Sequence, residues 1–489
     1  NKIALTFLFS FFMTAMTIGQ EMKIHVEGMP DTTVFLAKYY GKKLYYADTA
    51  VAENSTVKYD LSKHEAGIYA LLVPPKNSYF EIVITGKEAI EISTKGPNFA
   101  GNIDIKKSKE NQAFYEYISF MNSKSQGAKI INDKVSKATD EKTKTKLQKQ
   151  LTDIQLEVND YQDEFFKKND DLLVTKYLKI MKNIDIPEPP KKEDGSIDSL
   201  YSYIYNVNHY FDNVDLSDDR LVRGPMFANK LDNYFSKNVT IQIPDSIIRY
   251  ADQLISKVDE NSEMFKYIVH NVTYKYETSD IMGMDAVFVH MAQEYYCPVQ
   301  DSKAYWLDSA QIEKICERAS KLSNITIGQK AKNLILPDST EEKWYNLEKL
   351  PNDYVVLYFW DPECGHCKQV TPKLGKIYTD SLQPMSVEVY AVGKAMGENF
   401  AKWKKFIRDN DLQFINVGMT KSVFDEAQEN PMRLLQEKTN IESLNYHDTY
   451  DIYSTPKVFV VEQNRKIIAK GLAVSQIVGF LERYMKNHP

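Results

Sequence analysis

The sequence is poor in cysteine, arginine, glycine and proline. Only four of its 489 residues are cysteine, which excludes a small scaffold held together by many disulfides. Eight of the 61 basic residues are arginine and the net charge is −6, so the basic patches that nucleic-acid binding requires are not expected. With 19 glycines and 18 prolines, collagen-like and low-complexity chains are also excluded.

Long apolar runs are scarce as well. The exception is Ile3–Ile18, which follows Lys2 and ends before Gly19-Gln20. This run is shorter than the ~20 residues that a membrane-spanning helix needs. A basic start, a short apolar stretch and a small residue favour a secretory signal peptide over a membrane anchor. We therefore expect residues 1–19 to be cleaved. The mature protein, with no spanning membrane segment, is then expected in the periplasm or cell envelope.

The residues that are present indicate a folded protein of several domains. Apolar residues make up 43% and charged residues 26%, and at ~150 residues per domain the length predicts about three domains. Residues 20–100 contain short alternating segments such as Met22–Val26, which predict an all-β sandwich. Residues 101–324 have a helical period and predict a mostly α middle domain. One helical seam consists of Leu147, Leu151, Ile154, Val158, Tyr161 and Phe165.

Residues 325–489 alternate between strand and helix patterns, which predicts an α/β sheet domain. Within it, the apolar strand Val355–Trp360 precedes Cys364-Gly365-His366-Cys367. Free N–H groups and the dipole at a helix start stabilise a thiolate, so the first cysteine is expected to be nucleophilic. The second cysteine, one turn later, can attack a mixed disulfide formed by the first. The pattern predicts dithiol–disulfide exchange.

A structural disulfide and half of a zinc site are the alternatives for this cysteine pair. A zinc site needs two further ligands at suitable spacing, and the sequence has no second pair of this kind. We therefore expect no metal. Two prolines are placed distinctively: Pro372 lies inside the predicted helix, and Thr455-Pro456 stands directly before a strand. A proline at a strand start fits a cis peptide bond, which would present the backbone of Thr455 beside the thiols.

These features resemble the thioredoxin superfamily, in particular the secreted thiol–disulfide oxidoreductases of the TlpA and ResA type. The similarity extends from about Ile325 to the end of the chain. Residues 20–100 and the helical segment resemble domains that precede such a module in envelope proteins of Gram-negative bacteria. The resemblance to the thioredoxin superfamily is carried by Ile327-Gly328, Phe359-Trp360, Cys364-Gly365-His366-Cys367, Pro372, Trp403, Thr455-Pro456 and Gly471.

The resemblance implies a thioredoxin fold for residues 325–489 and a redox-active disulfide between Cys364 and Cys367. Cys364 would be the attacking thiol, Cys367 the resolving thiol and Pro456 the cis-proline. The implied partners are cysteine-containing client proteins and an unidentified redox partner, and no cofactor is implied. The residues expected to support the active site are Trp360, Gly365, His366, Thr455 and Pro456.

The sequence departs from thioredoxin in two places. Thioredoxin has a buried Asp where this chain has Tyr358, so the proton acceptor for Cys367 is left open. Asp361 and Glu363 are nearby, but we expect both to be too exposed for this role. His366 replaces the proline of the thioredoxin active site, which gives the dipeptide of protein disulfide isomerase. The reductase, isomerase and oxidase directions therefore all stay open.

Two further questions concern the rest of the chain: the state of the other two cysteines and the role of the first two domains. Cys297 and Cys316 lie on two consecutive predicted helices, where they form either a structural disulfide or two buried free thiols. An alternative function for the whole chain assigns the main role to the β-rich and helical domains. The chain would then be an envelope binding or assembly factor whose thiols tether or sense a partner.

Overall fold

The computed structural model describes residues 21–76 and 78–488. The predicted signal peptide, residues 1–19, lies outside the described residues. The chain separates into two compact units: residues up to Thr240 together with Ser262–Met264 form the first, and Ile241–Asn261 with the residues from Phe265 onward form the second. The predicted boundary at residues 324/325 therefore falls inside the second unit.

The first unit begins with a β-sandwich. Its two sheets have the strand orders β4-β1-β7-β8 and β3-β2-β5-β6, and β1 and β7 are parallel while the other pairs are antiparallel. The strands are β1 (Glu21–Glu27), β2 (Thr33–Tyr40), β3 (Lys43–Val51), β4 (Thr56–Asp60), β5 (Gly67–Val73), β6 (Ser78–Ile84), β7 (Ile90–Lys95) and β8 (Asp104–Lys107).

The sandwich forms because its strands alternate in polarity. In β1 every second residue is buried, and Met22, Ile24 and Val26 enter one core together with Leu71 and Ile82 of the opposite sheet. Since side chains on a strand point alternately to its two faces, this pattern leaves one face polar and one apolar. The predicted all-β sandwich is confirmed.

Helices complete the first unit: α1 (Lys109–Lys137), α2 (Glu141–Lys168), α3 (Leu173–Lys179), α4 (Tyr201–His209) and α5 (Pro225–Tyr234). The long helices α1 and α2 form a hairpin, and both begin at side-chain caps, Ser108 and Asp140. The predicted seam lies on α2, where Phe165 packs 5.2 Å from the ring of Tyr117 on α1.

The helical part continues into the second unit with α6 (Pro244–Ile255), α7 (Glu263–Glu277), α8 (Asp285–Tyr295) and α9 (Ser309–Ser323). The α/β part follows and contains the strands β9 (Ile335–Pro337), β10 (Trp344–Asn346), β11 (Tyr354–Trp360), β12 (Val387–Gly393), β13 (Ile415–Gly418), β14 (Lys457–Val461) and β15 (Ile467–Lys470). Its helices are α10 (Gly365–Ile377), α11 (Asn399–Asp409), α12 (Lys421–Glu429), α13 (Pro431–Glu437), α14 (Ile441–Leu444), α15 (Tyr446–Thr449) and α16 (Ile477–Asn487).

The main sheet of the second unit has the order β13-β12-β11-β14-β15, with β11, β12 and β13 parallel and the last two strands antiparallel. Its central strand β11 is buried almost throughout, which explains why the strand reads as a continuous apolar run. The mostly α middle region and the α/β thioredoxin-like fold of the C-terminal part are confirmed. Among the described residues, no helix is long and apolar enough to cross a membrane.

One buried carboxylate ties two elements of the first unit together. Glu110, near the start of α1, accepts hydrogen bonds from the backbone N–H groups of Leu173 and Val174 at 3.0 and 2.8 Å. These groups lack partners within α3 because they belong to its first turn. Burial raises the pKa of Glu110, and the same two N–H groups oppose that effect. The carboxylate therefore takes the place of an N-cap for α3.

We expect Glu110→Ala to lower the free energy of unfolding by about 2–3 kcal/mol, because it leaves two buried N–H groups without an acceptor. Urea unfolding of the full chain, followed by circular dichroism, measures this change. The exposed Glu116 on the same helix provides the control, and Glu116→Ala should change stability by less than about 0.5 kcal/mol. Equal effects of the two substitutions would contradict the capping role of Glu110.

Candidate active site

The cysteine pair lies where β11 passes into α10. Trp360 ends the strand, and Cys364 stands at the N-cap of the helix with extended backbone angles of φ −67° and ψ 123°. The Cys364 N–H donates to the carbonyl of Asp361, and the Lys368 N–H donates to the carbonyl of Cys364. The helix therefore starts at Gly365, and Cys364 is held at the end where N–H groups have no partners within the helix.

Cys364 is half-buried, and its surroundings favour the thiolate. The pKa of Cys364 is lowered chiefly by a hydrogen bond from the Cys367 backbone N–H; the His366 backbone N–H, the Cys367 thiol and Thr455 act in the same direction. Burial opposes this effect. Because N–H groups and the helix dipole stabilise negative charge, this thiol ionises at a lower pH than an unperturbed cysteine, which favours nucleophilic attack.

Cys367 lies one turn further into α10 and is fully buried. Burial raises the pKa of Cys367 to about 11, and a backbone N–H of Asp361 acts in the opposite direction. Both cysteines are free thiols in this structure. The two sulfurs thus differ in kind: Cys364 is reachable and easily ionised, whereas Cys367 is protected and protonated.

Thr455 and Pro456 meet the first thiol from the other side of the site. The Cys364 thiol donates to the carbonyl oxygen of Thr455 at 3.3 Å, across 91 residues of sequence. The Thr455–Pro456 peptide bond is cis, and β14 begins directly after it. The backbone of this turn therefore borders the reactive sulfur.

Two buried hydroxyl groups, one on β11 and one on α10, lie in the core next to the thiols. The Tyr358 hydroxyl and the Thr371 hydroxyl are hydrogen-bonded at 2.7 Å, and both residues are fully buried. Burial raises the pKa of Tyr358, and the charges of Cys367 and Cys364 act in the same direction, so the phenol stays neutral. The sequence interpretation missed Thr371, although its position four residues after Cys367 places it on the same helix face.

The two nearby carboxylates differ in exposure. Glu363 is open to solvent, as expected, and pairs with Lys402 at 2.9 Å. The expectation was wrong for Asp361, whose side chain is only 17% exposed and pairs with Lys394 at 3.2 Å. Asp361 is shielded because its side chain also accepts a hydrogen bond from the Glu363 backbone N–H and so turns towards its own loop.

The tryptophans named in the sequence interpretation lie in the core next to the site. Trp360 is 1% exposed, and its ring packs 5.1 Å from that of Phe406. Trp403 is fully buried against Gly393, where a Cβ atom would stand 2.0 Å from the indole nitrogen. Gly393 pairs directly with Trp360 across β11 and β12. A side chain at Gly393 would therefore displace a ring from the wall behind the thiols.

Two cavities flank the turn at Thr455 and Pro456. The larger, of about 410 Å³, is lined by His366, Val370, Pro456, Leu472 and Val474 among others, and Gly471 also borders it. The smaller, of about 140 Å³, is lined by Trp360, Asp361, Tyr446 and Thr455 among others. An extended chain crossing the turn would find an apolar wall on one side and a mixed aromatic and polar wall on the other.

The remaining two cysteines join the segment directly after α8 to α9. Cys297 and Cys316 form a disulfide, with Cα atoms 5.8 Å apart. This pair belongs to the second unit but is separate from the thiols of the candidate site. Among the described residues, no group of three or more His, Cys, Asp or Glu side chains is arranged to hold a metal ion.

Comparisons with known families cover most of the chain in three parts. Residues 327–470 match the AhpC/TSA family. Residues 21–114 and 167–324 match two domains of unknown function, DUF4369 and DUF5106. A search of curated proteins finds no match to this sequence.

Three solved structures illustrate the similarity. A domain of a possible thiol-disulfide isomerase from Cytophaga hutchinsonii is 31% identical, and the match covers 33% of this chain and 94% of that one, with a TM-score of 0.26. A thioredoxin-like protein from Bacteroides caccae is 17% identical over 61% of this chain and 99% of its own, with a TM-score of 0.42. The thioredoxin domain of a thiol-disulfide oxidoreductase from Bacteroides vulgatus is 21% identical over 32% and 97%, with a TM-score of 0.26.

The AhpC/TSA match covers the part of the chain that contains the five-stranded sheet and both thiols of the candidate site. Residues 327–470 therefore form a thioredoxin-like domain of the AhpC/TSA family. A β domain and a helical region precede the family's α/β module in this chain.

We expect iodoacetamide to modify Cys364 at least about 100-fold faster than Cys367 at pH 7, because thiolates react and Cys367 is both buried and poorly ionised. Peptide mass spectrometry of the reduced protein measures both rates between pH 5 and pH 10. The rate at Cys364 should reach its plateau at a lower pH than that of a free cysteine. Comparable rates at the two positions would contradict the asymmetry of the pair.

Replacing both Cys297 and Cys316 with Ser should lower the free energy of unfolding by about 3 kcal/mol, because the bond closes a loop between residues 19 apart in the sequence. Guanidinium unfolding of the full chain, followed by a spectroscopic signal from the second unit, measures this loss of stability. Alkylation of the native protein without reductant should leave Cys297 and Cys316 unlabelled. Labelling of both cysteines would show two free thiols instead.

Proposed function

We propose that this chain is an exported thiol–disulfide oxidoreductase that exchanges disulfides with cysteine-containing client proteins of the periplasm or cell envelope. The observation that carries the proposal is the asymmetry of the two thiols. Cys364 is reachable and has a lowered pKa, whereas Cys367 is buried one turn away with a pKa of about 11. The N-terminal pattern of residues 1–19 supports export.

The first step is attack by the Cys364 thiolate on one sulfur of a client disulfide. The Cys364–client S–S bond forms as the client S–S bond breaks, and the client's other sulfur leaves as a thiolate that takes up a proton. The Thr455 carbonyl accepts a hydrogen bond from the Cys364 thiol in the dithiol form. This hydrogen bond holds the sulfur beside the cis-proline turn before the attack.

The second step is attack by Cys367 on the Cys364 sulfur. Cys367 loses its proton, the Cys364–Cys367 disulfide forms, and the client's remaining sulfur leaves as a thiol after protonation. The client has gained two electrons and the enzyme has lost two. The high pKa of Cys367 keeps this thiol protonated and unreactive until the mixed disulfide has formed beside it. A separate redox partner then reduces the Cys364–Cys367 disulfide and restores the dithiol.

The reverse sequence of steps oxidises a client dithiol. If a second client thiolate attacks the client sulfur of the mixed disulfide in place of Cys367, a new client disulfide forms and Cys364 leaves as a thiolate, so the client disulfide is rearranged. The direction is set by the redox state in which the partner keeps the pair. The cavities beside Thr455 and Pro456 supply a place for the client's extended backbone, with apolar contacts at Val370 and Leu472. No cofactor takes part in this scheme.

Cys367→Ser should trap client proteins as mixed disulfides through Cys364, because the resolving thiol is missing. Envelope extracts expressing this variant are separated without reductant, and the adducts are identified by mass spectrometry. Cys364→Ser should lower insulin reduction by more than about 100-fold, since the attacking thiolate is removed.

The double variant with Ser at both positions is the matched control and should form no adducts. The variant with Ser at Cys297 and Cys316 should retain trapping when combined with Cys367→Ser. Absence of Cys364-dependent adducts, together with no insulin reduction by the unchanged protein, would refute exchange chemistry. Recovery of cytosolic proteins as the trapped clients in intact cells would refute the envelope location.

A further inference from the structure

The helical part of the first unit borders an open cavity of about 660 Å³. Three segments form its wall: the stretch after α3, the end of α4, and α5. This volume lies in the range of pockets that hold small organic ligands. The cavity lining includes Ile180, Lys182, Asn206, Tyr210, Asn229 and Lys230.

Lys230 places its ammonium group in this wall. Its Nζ donates to the carbonyl oxygen of Ile180 at 2.8 Å and lies 4.7 Å from the ring centroid of Tyr210. Both of these residues line the cavity as well. Burial lowers the pKa of Lys230 to about 8, and no charged group acts in the opposite direction.

The charge of Lys230 has no counter-ion in the described part of the chain. None of the residues that line the cavity carries a carboxylate. The other cation of the wall, Lys182, is already paired with Asp163 at 2.6 Å. Tyr210 is the remaining titratable group, and burial raises its pKa, so it stays neutral. A partly desolvated cation without an anion is costly, and an anion that enters the cavity would remove that cost.

The rest of the wall divides into amide groups and apolar side chains. The carboxamides of Asn206 and Asn229 form no hydrogen bond with other described residues, so both are available to a ligand. Met181 and Ile186 are 49% and 43% exposed although both are apolar and line the cavity. Polar and apolar surfaces therefore stand side by side, as in pockets that fix a ligand by one polar end.

We propose that this cavity binds a small organic anion in which a single carboxylate is attached to an apolar body, with Lys230 as the counter-ion. The carboxylate lies beside Lys230 within reach of the Asn206 and Asn229 amides. The apolar body lies against Met181 and Ile186. This binding site is separate from the thiols and gives the helical region a ligand of its own.

Octanoate and the neutral 1-octanol are suitable probes, because they share an apolar chain and differ in charge. Isothermal titration of the full chain at pH 7 should show octanoate binding, with an affinity at least about tenfold above that of octanol. Lys230→Met keeps most of the length of the side chain and removes its charge. This variant should lose about tenfold in octanoate affinity while its octanol affinity stays within about twofold.

Lys182→Met is the matched control. Lys182 lines the same cavity, but its charge is already used by Asp163, so this variant should bind octanoate as the unchanged protein does. Thermal unfolding checks that both variants are folded. Equal octanoate affinity in the unchanged protein and Lys230→Met, or equal losses in the two lysine variants, would overturn the proposal. No binding of octanoate by the unchanged protein at its solubility limit would also overturn it.

The pH dependence gives a test that needs no destabilising variant. With a pKa of about 8, Lys230 loses its charge between pH 7 and pH 9, so octanoate affinity should fall about fivefold to tenfold over that range. Binding at pH 8 should take up a fraction of a proton, which titrations in two buffers of different ionisation enthalpy reveal. Lys230→Arg keeps its charge and should show little change over the same range. A pH-independent affinity in the unchanged protein would overturn the assignment to Lys230.

Discussion

The start of α10 at the end of β11 is the constraint on which the candidate site depends. β11 ends at Trp360, and residues 361–364 lead into a helix whose first N–H groups have no internal partners. Cys364 occupies that junction, so the same backbone groups that begin the helix also stabilise its thiolate.

The same junction separates the two sulfurs in chemical character. One helical turn carries Cys367 beneath the surface, where burial favours the thiol over the thiolate. The buried Tyr358–Thr371 pair provides a hydroxyl network where thioredoxin has a carboxylate. The charge of the Cys364 thiolate raises the pKa of Cys367, and formation of the mixed disulfide removes that charge, so Cys367 loses its proton more readily after the first step. This arrangement ties the second step to completion of the first.

Much of the architecture could be predicted because its elements have strong periodicity. The apolar strand predicted over Val355–Trp360 lies within one residue of β11 at each end. The short helices α12–α15, between β13 and β14, were not predicted. They have only 4 to 9 residues each, too few for a helical period to emerge. Tyr450 from this segment packs 5.0 Å from Phe359, and so it supports β11 from a position that the sequence pattern does not reveal.

The sequence by itself determined the order of the three structural regions, the cysteine spacing and the helix start that activates Cys364. Those properties are local, since they follow from hydrophobic period and from groups that are near neighbours in the chain. Only the tertiary structure decided that Thr455 meets Cys364 across 91 residues, that Asp361 is shielded, and that Lys230 borders a cavity without a carboxylate. These relations depend on how distant segments pack and exclude water, and the order of residues along the chain does not show which distant segments meet.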